Sequence, residues 1–406
     1  MKKVFQIALG IIAAIGGFVD IGDLVFNAQA GATFGYKTLW AVPFGVLGIM
    51  VFAEMSGRVA AITQKANFEL VNDHFSRRLA TFALIASLVV STATLGAELG
   101  GLGIALNLFF DVSDQFFTVL ALVLIMAASF LLPFSAIERI FGYMGLALLV
   151  FIAAALKLGP DWGATGEGFV PHSSGVTLYW YFIVGLVAAA LMPYEIYFYS
   201  GGAIEEGWTK KDLGINRLNA ILGYGLGGLL AVGILVTAAE TLHVRGINPG
   251  SLGTTALTTQ IPYGELGLVL ALIGIAFAIG GAAIDTAFSA AYNLSQHMGW
   301  KWGKRNGLRG KPQFTLALLG AFLLGFVIVS SGINPIDLTE YAVVFSALAM
   351  PFTFLPVVLT GNSRELMGEH RNGVLTRGLG WIYFGVVCIV AVAAPVLLIV
   401  TNGGGG

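Results

Sequence analysis

Seven acidic side chains stand where an oily sequence has least use for them. Asp20, Asp23, Glu54, Glu98, Glu195, Glu240 and Asp285 all fall inside or at the edge of long apolar runs. A charge at the centre of a bilayer costs at least about 2.5–3.5 kcal/mol, and no Lys or Arg lies deep enough to pair with most of these acids. Such carboxylates stay protonated or hold a cation, so the pattern points to passage of cations or protons. Two of the runs are also interrupted. Gly16-Gly17 and Asp20-Ile21-Gly22-Asp23 divide the first, and Met192-Pro193, after Ala188-Ala189-Ala190, divides the sixth. Proline withholds a ladder donor and glycine accepts distorted backbone. At membrane depth, unwound backbone survives only where it is buried in protein or lines a cavity. Asp20 and Asp23, three apart, can face one cavity, and Met192 and Glu195 repeat that spacing at the second break. Carboxylates and carbonyls suit hard divalent ions, and a thioether adds preference for softer transition metals. The bland alternative is two kinks with no ligand and Met192 as packing.

The other acids divide by setting. Glu98, in Ala97-Glu98-Leu99-Gly100-Gly101, and Asp285, in Ala282-Ala283-Ile284-Asp285-Thr286, suit either a proton relay or a protonated carboxyl bonded to a neighbouring carbonyl. Glu54 is expected to pair with Arg58 one turn away, and Glu240 to lie at the interface. The histidines (His74, His172, His243, His297 and His370) fall in loops or at span ends, without the helical spacing of a metal site. No phosphate-binding loop, G-x-S-x-G or H-E-x-x-H occurs, so the chain reads as a non-enzyme that needs no cofactor.

The elements that must hold these acids are membrane spans. Hydrophobic residues make up 57% of the 406 and charged residues 11%, less than half the roughly 25% of a soluble domain. Net charge is −1 and the single cysteine is Cys388, which argues against a nucleic-acid partner and against a disulfide framework. A span needs about 20 apolar residues. Eleven runs qualify, roughly 5–31, 38–61, 80–107, 115–133, 137–158, 176–200, 216–242, 261–296, 312–331, 336–360 and 376–401. No ten-residue segments alternate as barrel strands would. With the N-terminus cytoplasmic and the C-terminus outside, only Lys37, Lys157 and Arg245 of the 21 basic residues lie on the outer side, as the positive-inside rule requires. Breaks at corresponding places in segments one and six predict two inverted five-helix repeats around a midplane site. The expectation is a single transmembrane domain, 1–401, with repeats at about 5–158 and 176–360 and an extra helix at about 376–401. The tail 402–406 reads as a cloning remnant.

These residues resemble the Nramp family of proton-coupled divalent-metal transporters. Val19-Asp20-Ile21-Gly22-Asp23 and Gln29-Ala30-Gly31-Ala32-Thr33-Phe34-Gly35-Tyr36 are similar to the first-helix motif D-P-G-N and Q-A-G-A-x-F-G-Y. Ala189 to Pro193 is similar to A-x-x-M-P-H of the sixth helix. Ala97-Glu98 with Ile104 to Leu108 is similar to the third helix, and Met350-Pro351-Phe352 through Glu369 to the tenth and its following loop. The resemblance runs in order over most of the chain. It implies an all-α LeuT-type fold in which Asp20, Met192 and the Ala189 carbonyl bind metal, with Asp20 and Glu98 on a proton route. The chain also departs from the pattern. The motif asparagine is Asp23, its proline Ile21, the sixth-helix histidine Tyr194 and the next residue Glu195. The acid one turn before Glu98 is Leu95, and the tenth-helix glutamine is Ala349.

The expected function is therefore inward transport of a divalent metal, Mn²⁺ or Fe²⁺, by alternating access across a bacterial inner membrane. Asp20, Asp23, Ala189 and Met192 are the expected ligands, with Glu195 beside them and Asp20, Glu98 and Asp285 carrying protons. The metal and H⁺ are cargo, the bilayer is the standing partner, and the chain is expected to act as a monomer. Two alternatives are a related transporter for Mg²⁺ or a small organic ion, with Trp180, Tyr194, Tyr197 and Tyr199 available for stacking, and a membrane receptor that binds an ion without moving it.

Overall fold

The computed structural model describes residues 19–110, 113–304 and 307–404, and every regular element among them is helical. The α-helices are α1 (Ile21–Phe34), α2 (Ala41–Thr63), α3 (Asn67–His74), α4 (Arg77–Phe110), α5 (Asp114–Leu131), α6 (Phe134–Gly145), α7 (Leu149–Leu158), α8 (Trp162–Gly168), α9 (Thr177–Ala189), α10 (Pro193–Glu206), α11 (Leu213–Thr241), α12 (Leu252–Met298), α13 (Pro312–Val329), α14 (Pro335–Asn362), α15 (Arg364–Met367) and α16 (Val374–Val400). Ten helical segments among the described residues are long and apolar enough to cross a membrane. They match ten of the eleven expected spans, with α6 and α7 forming one and α9 and α10 another. The remaining span is represented by α1. The earlier half of its run, Gly16-Gly17 included, lies outside the described residues.

Local chemistry sets the helix limits. Asp20 caps α1, its side chain accepting the Asp23 N–H at 2.9 Å, as an N-cap aspartate does. Pro193 opens α10 at a position that needs no donor. Within α12, Gly264 adopts φ 61°, two residues after Pro262, and separates a first short helix from the long span.

Between these limits the bundle closes by small-residue contact. The long α4 packs against α12, α13 and α14, and α1 against α9 and α11. A Cβ built on Gly31 would lie 2.3 Å from the Leu235 carbonyl oxygen of α11. One on Gly101 of α4 would lie 2.6 Å from the Ile21 side chain. Helices in lipid gain little from burying apolar surface against each other, so close backbone approach through small residues is how they associate.

The two ends of the bundle are held differently. At the Lys- and Arg-rich end, Arg58 reaches both Glu54 oxygens at 3.0 Å, the His370 carbonyl at 2.7 Å and Asn372 Oδ1 at 2.7 Å. The expected local pair is thus the centre of a larger clamp. At the opposite end, buried Gln29 of α1 donates to Glu340 of α14 at 3.0 Å, and Tyr181 of α9 donates to the same carboxylate at 3.2 Å. Tyr36 also donates to Glu240 there.

Gly31→Ala is expected to push α1 from α11 and cost about 1–3 kcal/mol, the usual range for overpacking. A fall in the detergent melting temperature would register it; an unchanged melting temperature would mean that the contact at Gly31 is slack.

Candidate ion-binding site

The start of α1 and the break between α9 and α10 meet in the middle of the bundle. α9 stops at Ala189, and Ala190, Leu191 and Met192 carry the chain to α10, with Met192 extended at φ −61°, ψ 127°. The helical donor for the Ala189 carbonyl would be the N–H of residue 193, and proline has none. Opposite lies the start of α1, where a Cβ on Gly22 would sit 3.0 Å from Asp20 Oδ1 and 3.7 Å from the Ala189 side chain. The absence of a side chain at Gly22 leaves room for Asp20 Oδ1 and for Val343, which a Cβ would meet at 3.1 Å.

Asp20 is fully buried and Asp23, Met192 and Glu195 nearly so. Asp20 spends Oδ1 on the cap and accepts the Tyr194 hydroxyl on Oδ2 at 3.0 Å. Asp23 Oδ2 and both Glu195 oxygens have no hydrogen-bond partner among the described residues. The three acids lie within electrostatic reach of one another. Asp23 and Glu195 each occupy the first turn of a helix that begins at mid-bundle, where the helix dipole favours an anion by about 0.3–1 kcal/mol and at most ~2. That is less than the cost of a lone charge in hydrocarbon. The dipoles help these carboxylates but do not balance them, so a proton or a cation must make up the difference.

Glu98 stands behind this cluster on α4. It is fully buried, accepts the Thr286 hydroxyl at 3.3 Å on one oxygen and has no partner on the other. Asp20 and Asp285 are both within its electrostatic reach. Asp285 itself is partly exposed on α12. The structure therefore groups Asp20, Asp23, Ala189, Met192 and Glu195 at the breaks, with Glu98 and Asp285 leading away. No ion pair found among the described residues reaches any of these acids. Nor do those residues hold a group of three or more His, Cys, Asp or Glu close enough to ligate a metal by themselves.

Two positions were only partly legible beforehand. Tyr194 was noted as a departure, yet its hydroxyl orients Asp20, while Ser289 donates to its carbonyl at 2.8 Å. Glu340 lies inside the tenth apolar run and belongs with the intramembrane acids, though it serves the closed end rather than the centre. The polar tips of three of the aromatic residues named for stacking are hydrogen-bonded. Tyr197 bonds Thr353 at 2.8 Å, Tyr199 donates to Asn216 at 3.0 Å, and Trp180 donates to the Ser174 carbonyl at 2.8 Å.

The profile of the natural resistance-associated macrophage protein-like (Nramp) family matches residues 10–397. The chain belongs to the Nramp family. It is 27% identical over 389 residues to the divalent metal cation transporter MntH of Deinococcus radiodurans, covering 92% of this chain and 85% of that one. Its fold matches a crystal structure of a mutant manganese transporter from Eremococcus coleocola at TM-score 0.75 and 18% identity, over 98% of this chain and 86% of the other. It also matches MhsT in complex with L-phenylalanine at TM-score 0.64 and 17% identity, over 95% and 98% of the two chains. The fold class is therefore all-α and LeuT-type, an integral membrane protein. Within this Nramp chain the breaks fall at the positions the motifs mark.

Tyr194→Phe removes the hydroxyl that fixes Asp20. Loss of such a supporting contact is expected to weaken Mn²⁺ binding by about 10–100-fold, measured by calorimetry in detergent. Equal affinity in the variant would show that Asp20 needs no such support.

Proposed function

We propose that this chain imports a divalent metal ion, Mn²⁺ or Fe²⁺, by alternating access, with protons moving at the same site. Asp20 and Asp23 bring two negative charges to match a dication, leaving the loaded site neutral in a low-dielectric interior. The free Ala189 carbonyl adds a hard oxygen. Met192 adds the soft donor that favours a transition metal over Mg²⁺ or Ca²⁺. Glu195 lies beside the ion and stays protonated when the other two acids are charged. The relatives, a divalent metal cation transporter and a manganese transporter, agree with this chemistry.

The single observation that carries the reading is the meeting of two helix breaks at buried acids with unspent oxygens. A ligand-free kink would leave those oxygens uncompensated in hydrocarbon. In this reading the N-terminus is cytoplasmic, and the Gln29–Glu340–Tyr181 contacts close the outer side and must part when it opens. The Arg58 clamp lies at the inner face.

Proteoliposome uptake tests this directly. Asp20→Ala is expected to abolish Mn²⁺ uptake, and Met192→Ala to erase the preference for Mn²⁺ over Ca²⁺ and Mg²⁺ in a competition panel. Undiminished Mn²⁺ uptake in both variants would remove the site.

A further inference from the structure

On the inner side of the site, α4 and α12 turn a polar face to each other. Along α4, Glu98, Thr94, Ser91 and Ser87 recur every three or four residues and so share one face of the helix. Along α12, Thr286, Ser289, Asn293 and His297 do the same. All of these except half-buried His297 are buried. Hydrogen bonds join the two helices at three levels. Thr286 donates to Glu98 at 3.3 Å, Asn293 donates to the Ser87 hydroxyl at 2.6 Å, and the Thr81 hydroxyl of α4 lies 3.2 Å from His297 Nε2. This last contact is at the Lys- and Arg-rich end, where His297 Nδ1 also meets Asn72 Oδ1 of α3 at 2.8 Å and Phe68 of α3 stands edge-on to the ring. From Thr286 to His297 the seam runs about 16 Å along the helix.

Polar side chains commonly hold membrane helices together, and such glue accounts for the three contacts. It does not account for the atoms left over. Glu98 Oε2, Thr94 Oγ1 and Asn293 Oδ1 are buried and have no hydrogen-bond partner among the described residues. The Asn293 amide lies in the seam because Ser87 holds its nitrogen from the other side, and Thr286 places the Glu98 carboxyl there in the same way. Thr94 sits one turn from Glu98, between the two. A threonine inside a helix can return its hydroxyl to the carbonyl four residues back, as Thr92 does to Leu88 at 2.7 Å, but Thr94 does not. Unpaired oxygens in a dry interior are costly, and buried water typically bonds about three otherwise unsatisfied polar groups. Water is the ligand these oxygens fit. The adjoining face of α4 offers nothing comparable, because Leu95 packs on Gly325 of α13 and α13 carries no titratable side chain.

We propose that the seam between α4 and α12 carries protons from Glu98 to the inner face through ordered water, with Thr94 and Asn293 orienting that water and His297 as the exit. The proposal rests on the proton-linked metal reading above. Glu98 gives up its carboxyl proton and is left ionised. Each oxygen along the seam, of water or of a hydroxyl, accepts one proton and passes on another, so nothing is oxidised. The Asn293 amide takes no proton and holds water in place through Oδ1. Asn72 Oδ1 can only accept, so Nδ1 carries the ring proton of neutral His297 and Nε2, beside Thr81, is free to take another. The imidazolium then returns to neutral by releasing a proton to solvent. Metal and proton share Asp20 but leave by separate paths.

The test is Mn²⁺ uptake into proteoliposomes loaded with a pH dye, for wild type, Thr94→Val, Asn293→Leu, Asn293→Ser and Thr92→Val. Thr94→Val and Asn293→Leu are expected to lower proton influx per Mn²⁺ by about tenfold. That is less than the ~10²-fold of losing a direct proton carrier, because both groups orient water and hold no charge. Asn293→Ser is expected to restore part of the influx. Thr92→Val, which removes a hydroxyl turned to its own helix, is expected to leave the ratio unchanged, with Mn²⁺ affinity by calorimetry at the wild-type value in every variant. If Asn293→Leu does not fold, the nearly isosteric Thr94→Val carries the test. A wild-type ratio in Thr94→Val and in folded Asn293→Leu overturns the seam, and so does an equal loss in Thr92→Val. Mn²⁺ uptake by the wild type without any proton influx overturns it too and leaves the metal reading standing. Proton influx that Thr94→Val blocks, in a wild type that moves no Mn²⁺, supports the seam and overturns the proposed function instead.

Discussion

Hydrocarbon offers no water to complete an unfinished hydrogen bond or to screen a charge, and this single fact governs where the chain can break. A helix that starts or stops inside the membrane leaves donors or carbonyls without helical partners. Here both kinds of end are brought to one place. The N-termini of α1 and α10 supply unspent N–H groups and positive dipole ends, and the C-terminus of α9 supplies carbonyls. Acids in the first turns answer the dipoles, yet they answer them with more charge than the dipoles can offset. The site is thus built with a deficit of positive charge that only a mobile ion or proton can fill.

Close approach is the other half of the arrangement. Gly22 leaves room for Asp20 Oδ1, Gly101 lets α4 approach Ile21 at the start of α1, and Gly31 seats α1 on α11. A side chain at Gly31 would meet the Leu235 carbonyl oxygen at 2.3 Å, and one at Gly22 would press on Asp20 Oδ1 at 3.0 Å. Packing and charge are therefore one design problem here, with the small residues setting the distances over which the carboxylates act.

Much of this could be read from the chain before any coordinates, for identifiable reasons. Acids and proline inside apolar runs are conspicuous because hydrocarbon makes them costly, so Asp20, Asp23, Met192-Pro193, Glu98, Glu195 and Asp285 stood out singly. What could not be read was pairing across distant sequence. The Tyr194–Asp20 contact joins residues 174 apart and the Gln29–Glu340 contact residues 311 apart. Both depend on helices meeting in a way that no local pattern encodes. Boundaries slipped for local reasons as well. The eighth run was placed from 261, whereas α12 begins at Leu252, because a threonine-rich first helix is too polar to count as apolar and Gly264 carries the chain past Pro262.

The departures from the family pattern make most sense as one exchange. Replacing an amide by Asp23 and adding Glu195 puts two more acids beside Asp20, while Leu95 takes one away beside Glu98. The titratable groups have moved toward the breaks, and the histidine position has become Tyr194, which donates to Asp20 and holds it in place. A site with more carboxylates than its cargo has charge must keep some of them protonated in every state of loading. In the proposed reading that condition ties proton occupancy to metal occupancy, because a dication and a proton would compete for the same unsatisfied oxygens.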